Sequence, residues 1–217
     1  MSKEAYLTIF MICLMALAIP YIFRYTYNAK LKQANEKGDM EESLKILNSR
    51  IYSYLFGKYT TLWNKLKLYM ATNDISNIES ITNEVIYGRF SKKEKHQVAN
   101  RTFFFFINDE NKEMSKRVLD CLKKVADTEE YEFDKIMFKI LIEHNANDDD
   151  VEVIEAMLAK LKKQNLSSDK NIIGIIQYML AVHYKDHKDN KKAESYLNHA
   201  KKNLKGTPYH SKIKNMM

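Results

Sequence analysis

The chain has very few residues that interrupt helices. It contains two prolines, Pro20 and Pro208, and five glycines among 217 residues. Because proline and glycine punctuate turns, their scarcity favours long helices. Lys, Glu, Leu, Ile and Asn fill the stretches between them. The composition therefore predicts an all-α protein.

The positions of the few glycines and cysteines also limit the kinds of site that the chain can form. The glycines lie at positions 38, 57, 88, 174 and 206, too far apart to form a Gly-rich phosphate-binding loop. The two cysteines are Cys13, within an apolar run, and Cys121, within a helical stretch. We expect both to be small buried apolar residues rather than reactive thiols.

The net charge of +7 is concentrated in the C-terminal quarter. Residues 170–217 contain ten lysines against three acidic residues, which accounts for the whole net charge. Clustered lysine could bind anionic lipid, nucleic acid or an acidic partner. We favour a solvated lysine face over these alternatives.

Residues 5–23, AYLTIFMICLMALAIPYIF, form a run of nineteen uncharged residues. As a helix this run spans about 28 Å, which matches the hydrocarbon core of a bilayer. A cleaved signal peptide is the alternative, because Ala16-Leu17-Ala18 has the small-x-small form of a cleavage site. The apolar run, however, continues to Phe23 without a polar break. We therefore predict a single-pass transmembrane anchor.

Positive charge follows the apolar run and predicts its orientation. The cations on this side are Arg24, Lys30, Lys32 and Lys37. Because Lys and Arg beside a membrane helix usually stay in the cytoplasm, we expect a cytoplasmic body, with an exported body as the alternative. The N-terminal tail and transmembrane helix together occupy residues 1–28 in this interpretation.

Polar clusters that suit helix starts recur downstream every 35 to 40 residues. They lie near Asp39, Asp74, Asp109, Asp149 and Asp189. An Asp or Asn side chain there can accept hydrogen bonds from the first amides of a helix. Helix pairs that repeat every 34 to 47 residues or so are typical of α-solenoids. We therefore predict a helical-repeat domain at residues 29–208 and a C-terminal tail at 209–217.

The final hairpin carries a family resemblance. Its large and small positions are Leu180, Ala181, Tyr184, Ala193, Leu197 and Ala200. This alternation resembles a tetratricopeptide repeat (TPR), in which small residues let two helices cross closely. A weaker match lies at residues 38–47, and the middle of the chain matches in helix length and spacing only. The resemblance implies antiparallel hairpins in a short right-handed α-solenoid that binds a protein or peptide on its concave surface.

Partner-binding residues are expected on the first helix of each repeat. Since the resemblance points Leu180 and Tyr184 inward, Tyr178, Val182 and Lys185 share the neighbouring stripe. An aromatic anchor beside a charge suits a peptide or helix ligand. The alternatives are that this face is solvated or is covered by residues 208–217.

An equivalent stripe is expected in an earlier repeat. There Trp63 and Leu66 fit the first helix of a unit, so Asn64 and Leu68 would face the partner. The expected function is thus a membrane-anchored interaction scaffold. The alternatives are a structural subunit of a membrane assembly, and binding of anionic lipid or nucleic acid through the basic C-terminal hairpin.

Other side chains offer little chemistry. His183 and His187 have the spacing of a metal pair, but neighbouring lysines would repel a cation, so ordinary surface histidines are expected. The acidic residues at 148–155 lack the glycine and the spacing of an EF-hand and are expected to begin a helix. Of the phenylalanines at 103–106, at least two are expected in the core and one or two as an exposed contact. We expect no metal, no cofactor and no enzymatic activity.

Overall fold

The computed structural model describes residues 3–164, 170–207 and 209–217, without the side chains at 3–5, 7–9 and 13. The expectations for Pro208 and for the Cys13 side chain lie outside this part. The described residues are helical and include no strand, so the predicted all-α class is confirmed. The helices are α1 (Lys3–Glu36), α2 (Met40–Asn48), α3 (Arg50–Ala71), α4 (Ile75–Tyr87), α5 (Lys92–Asn108), α6 (Lys112–Val125), α7 (Thr128–Phe138), α8 (Asp148–Gln164), α9 (Lys170–Asp186), α10 (Asn190–Asn203) and α11 (Tyr209–Met216). A short π-helical segment, Lys139–Glu143, follows α7.

The chain forms two compact units, Met1–Glu94 and Lys95–Met217. The predicted boundaries at residues 28 and 208, between anchor, repeat domain and tail, stay a prediction. The first helix continues to Glu36, because its last turns pack on α2. The expected C-terminal tail is α11, whose Tyr209 and Ile213 side chains are buried.

Helix α1 has two different surfaces. Its described N-terminal part exposes large apolar side chains, with Leu17 70% and Ile22 61% exposed. Its last turns instead bury Leu31 and Ala34 in a cluster with Ile46 and other residues of the first unit. Within α1, Phe10–Glu36 is the one helical segment of the described chain that is long and apolar enough to cross a membrane. A signal sequence and a core helix of a soluble protein can meet the same criterion.

Helix α3 consists of two pieces that meet at Gly57. This residue has φ 81° and ψ 161°, a conformation that favours glycine because other side chains would be strained there. The carbonyl of Gly57 accepts a hydrogen bond from Thr61 Oγ1 at 3.0 Å. Residues 50–56 therefore form a piece whose direction is set separately from that of residues 58–71.

The predicted helix starts are confirmed at three sites and shifted by two residues at two others. Asp39, Asp74 and Asp189 each cap the helix that follows them, with a side chain that accepts from a backbone N–H. At the third site the cap is Asn111, because Glu110 adopts a left-handed conformation before the helix begins. At the fourth site Asn147 accepts from the amide of Asp150 at 2.9 Å.

The final hairpin, α9 and α10, packs as the alternation of residue sizes predicts. Leu180, Ala193, Leu197 and Ala200 are all buried. A further close approach lies at Gly174, where an added Cβ would come within 2.6 Å of Leu204 Cγ. Small residues on both helices thus permit the crossing.

We expect Ala200→Leu to lower the free energy of unfolding by about 1 to 3 kcal/mol, because the added atoms overpack a fully buried site. Asn198→Leu, on the exposed side of the same helix, is the matched control and should change stability by less than about 0.5 kcal/mol. Denaturant unfolding of the full chain in detergent, followed by circular dichroism, measures both. Equal stabilities of the two variants would contradict the crossing.

Candidate functional site

The predicted stripe on α9 lies under the terminal helix. Tyr178 and Val182 are buried, and only Lys185 is exposed. The ring of Tyr178 lies 5.4 Å from that of Tyr209, and Lys185 Nζ donates to the carbonyl of Met216 at 3.0 Å. The expectation of an accessible stripe is therefore wrong for Tyr178 and Val182. The alternative expectation, that the C-terminal residues cover this face, agrees with the position of α11. A role of Tyr178 and Val182 in partner binding stays a prediction.

A cavity of about 430 Å³ remains beside α11. Polar groups of its lining contact each other, with Lys212 Nζ 2.8 Å from Glu110 and His144 Nδ1 2.7 Å from Asp186. The hydrogen bond and charge of Lys212 lower the pKa of Glu110. Since these polar groups already contact each other, the cavity offers little to attract a charged ligand.

The second predicted pair, Asn64 and Leu68, lies in the first unit. Both side chains are half-buried and line a cavity of about 360 Å³ together with Leu31 and Leu47. Asn64 Nδ2 donates to the hydroxyl of Tyr52 at 2.9 Å. The structure thus places Asn64 and Leu68 together, but in a different unit from Tyr178 and Val182. Their role in binding likewise stays a prediction.

An apolar cleft that the sequence interpretation missed lies in the second unit. It has a volume of about 340 Å³ and lies between α5, α7, α8 and α9. Its apolar lining consists of Phe104, Phe133, Met157, Ile172 and Ile175. Because Ile172 is 43% exposed, the cleft is open to solvent. We call this feature the acid-rimmed cleft, since its remaining lining residues are acidic.

The acidic rim is formed by the start of α7. Asp127, Glu129 and Glu130 line the cleft. Asp127 caps α7 by accepting from the amide of Glu130 at 2.8 Å. Glu129 is well exposed and its nearest cation, Lys160, is 3.9 Å away. Acidic residues in a first turn also offset the helix dipole, so the rim has a structural reason to be negative.

The phenylalanines at 103–106 gave the one sequence signal for this cleft. Phe103 and Phe106 are buried in the core, as predicted for at least two of the four. Phe104 and Phe105 are half-buried, and Phe104 lines the cleft. Periodicity could not have located the cleft, because its other walls come from three separate helices.

A polar cluster lies directly behind the rim. His96 Nε2 is 2.7 Å from Glu130, which also accepts from Asn100. One turn further along α7, Asp134 is only 1% exposed, and its Oδ2 has no hydrogen-bond partner within the described chain. Burial, with a smaller contribution from the charge of Glu130, raises the pKa of Asp134 to about 7.

The remaining candidates for chemistry are structural in this arrangement. His183 is buried rather than on the surface, and its burial, followed by the effect of nearby His187, lowers its pKa. The acidic run begins α8, as predicted, and Asp150 pairs with Lys139 at 2.8 Å. Cys121 is buried, and burial raises the pKa of its thiol. Among the described residues no group of three or more His, Cys, Asp or Glu could hold a metal ion.

We expect Asp134→Asn to stabilise the chain more at pH 8 than at pH 5. The folded pKa of about 7 exceeds the ordinary value of 3.8, so the folded state holds this proton more tightly than the unfolded state. The contribution of Asp134 to the free energy of unfolding therefore falls as the pH rises from about 4 to 7. Between pH 5 and 8 the difference between variant and wild type should grow by about 2 to 3 kcal/mol.

Denaturant titrations at the two pH values measure this difference. Asp120→Asn, at an exposed position on α6, is the matched control and should show no such growth. If Asp134→Asn has the same effect at both pH values, Asp134 does not titrate in this range.

Comparisons with known proteins add no assignment to this geometry. No protein-family model, no curated protein and no solved structure matches the chain.

Proposed function

We propose that this chain is a single-pass membrane protein that binds a partner protein or peptide through its helical body. In this proposal the hairpins are TPR-like and form a short right-handed α-solenoid, and the body lies in the cytoplasm. The observation that carries the proposal is the combination, in one chain, of an uncovered apolar helix with an open apolar cleft.

The exposed surface of α1 supports the membrane anchor. A helix in a soluble core buries its apolar side chains, whereas Leu17 and Ile22 are more than half exposed. The helix also continues through Ala18 to Glu36 and packs Leu31 against the first unit. Cleavage after Ala18 would cut within this continuous helix, which favours an anchor over a signal peptide.

The final hairpin supports the TPR-like assignment. Ala193 and Ala200 lie at the crossing of α9 and α10, where the resemblance requires small residues. Tyr184 fills the groove between helices, and its hydroxyl donates to Glu155 at 2.9 Å. The helix caps at Asp39, Asp74 and Asp189 support the repeat spacing.

The acid-rimmed cleft supports partner binding. Interfaces gain most of their affinity from a few large side chains that enter desolvated pockets, and an apolar cleft lined by Phe104 and Phe133 can accept such an anchor. Asp127 and Glu129 would attract a cation beside that anchor. The ligand that fits this arrangement best is an amphipathic helix with Lys or Arg next to a large apolar residue.

The full chain should stay in the membrane pellet after a carbonate wash, because a helix with this apolar length inserts stably. Leu17→Lys combined with Met15→Lys should release a large part of it, since each charge at the centre of a membrane helix costs about 2.5 to 3.5 kcal/mol. Ala71→Lys, at an exposed position on α3, should leave it in the pellet. Release of wild-type protein that begins near Ile19 would show that the segment is a signal peptide.

A photo-crosslinking residue in place of Ile172 should form an adduct with an 18-residue Leu/Lys helical peptide but not with its Leu/Glu counterpart. The full chain in nanodiscs of neutral lipid is used, and the same crosslinker at exposed Tyr87 of α4, in the first unit, serves as the positional control. Asp127→Asn with Glu129→Gln should weaken adduct formation roughly threefold to tenfold, because two exposed ion pairs with lysines of the peptide are lost. Asp127→Asn keeps a side chain that can cap α7.

Asp120→Asn combined with Glu194→Gln removes two charges at exposed positions of α6 and α10, and this matched charge control should have no effect. Equal adduct yields with both peptides, or at positions 172 and 87, would show that the cleft does not select a basic helix.

A further inference from the structure

Residues 50–56, the first piece of α3, lie beside α1 where its uncharged run ends. The last residue of that run is Phe23, and the next residue, Arg24, donates from Nε to the carbonyl of Leu55 at 2.9 Å. One turn further along α1, the ring of Tyr27 lies 6.2 Å from the ring of Tyr52. Residues 50–56 are therefore held within about one helical turn of the apolar boundary.

This piece of α3 exposes large apolar side chains on one side. Tyr52 and Leu55 are buried, whereas Tyr54 is 89% and Ile51 is 50% exposed. Because Ile51 and Tyr54 are three residues apart, they share one face of the helix. Among the described residues outside α1, the large hydrophobic side chains that are exposed are Ile51, Tyr54, Tyr87, Val153, Ile172 and Met217. Two of these six thus lie together, next to the end of the apolar run.

The kink at Gly57 gives this piece its own direction. The positive φ at Gly57 separates residues 50–56 from the rest of α3, which packs on α4. If residues 50–56 lie in the plane of a membrane and residues 58–71 lead away from the membrane, the chain has to change direction between them. The kink supplies that change of direction one residue after Phe56.

The chemistry of the exposed face fits the boundary between lipid headgroups and acyl chains. Tyrosine is enriched at this level because its ring is apolar and its hydroxyl is polar. Arg50 and Arg24 are exposed beside it, and such cations attract anionic headgroups. We propose that residues 50–56 lie on the bilayer that α1 enters, with Ile51 and Tyr54 inserted at the headgroup boundary. This inference rests on the membrane anchor of the proposed function.

Fluorescence quenching tests the proposal, with lipids brominated close to the headgroup for positions 54 and 36 and, in parallel, lipids brominated near the ends of the acyl chains for position 17. The full chain carries Trp63→Phe, so that one introduced tryptophan reports its position, and is placed in nanodiscs of phosphatidylcholine with phosphatidylglycerol. Tyr54→Trp is compared with two positions on α1 itself. Leu17→Trp reports whether α1 inserts, and Glu36→Trp lies twelve residues beyond Arg24, roughly 18 Å further from the apolar boundary.

We expect at least twofold stronger quenching for Tyr54→Trp than for Glu36→Trp, with a blue-shifted emission maximum. Circular dichroism of each variant checks that its helices are retained. If Leu17→Trp is quenched but Tyr54→Trp matches Glu36→Trp, the surface contact is refuted while the anchor stands. If Leu17→Trp is quenched by neither lipid, α1 does not insert, and both the anchor and the surface contact fail.

Discussion

The packing of Tyr52 joins the apolar N-terminal helix to the rest of the first unit. Its side chain is completely buried, with its ring 4.4 Å from that of Phe56 and 6.2 Å from that of Tyr27. Its hydroxyl accepts from Asn64, so this buried polar group is satisfied. Tyr52 therefore connects α1 to both pieces of α3. The position of residues 50–56 beside the apolar boundary depends on this contact.

Those parts of the fold that are determined by short sequence patterns were predictable. Scarce proline and glycine give helices, and Asp39, Asp74 and Asp189 cap helices because a short acceptor side chain suits that position. Ala200 marks a close crossing because a larger side chain would not fit. The caps at Asn111 and Asn147 were displaced from the expected aspartates by two residues, since several Asx residues compete in each cluster and only backbone geometry selects one.

The candidate site was less predictable because it depends on contacts between distant segments. Tyr178 and Val182 do share a stripe, as helical arithmetic requires, but α11 covers it with Tyr209. An eight-residue helix is too short for its periodicity to be recognised from sequence. The acid-rimmed cleft likewise combines four helices, of which only the phenylalanine run around Phe104 gave a signal.

The negative charge of the cleft is linked to the fold that forms it. Asp127 must accept from the first amides of α7, and Glu129 lies where the helix dipole favours an anion. Glu130 is held by His96 and Asn100, while Asp134 behind it is buried with a pKa of about 7. The charge most available to a ligand therefore belongs to Asp127 and Glu129 at the mouth of the cleft. The proposed preference for cationic ligands would then come from the same residues that start the helix, and Glu129→Gln would weaken it without removing the cap.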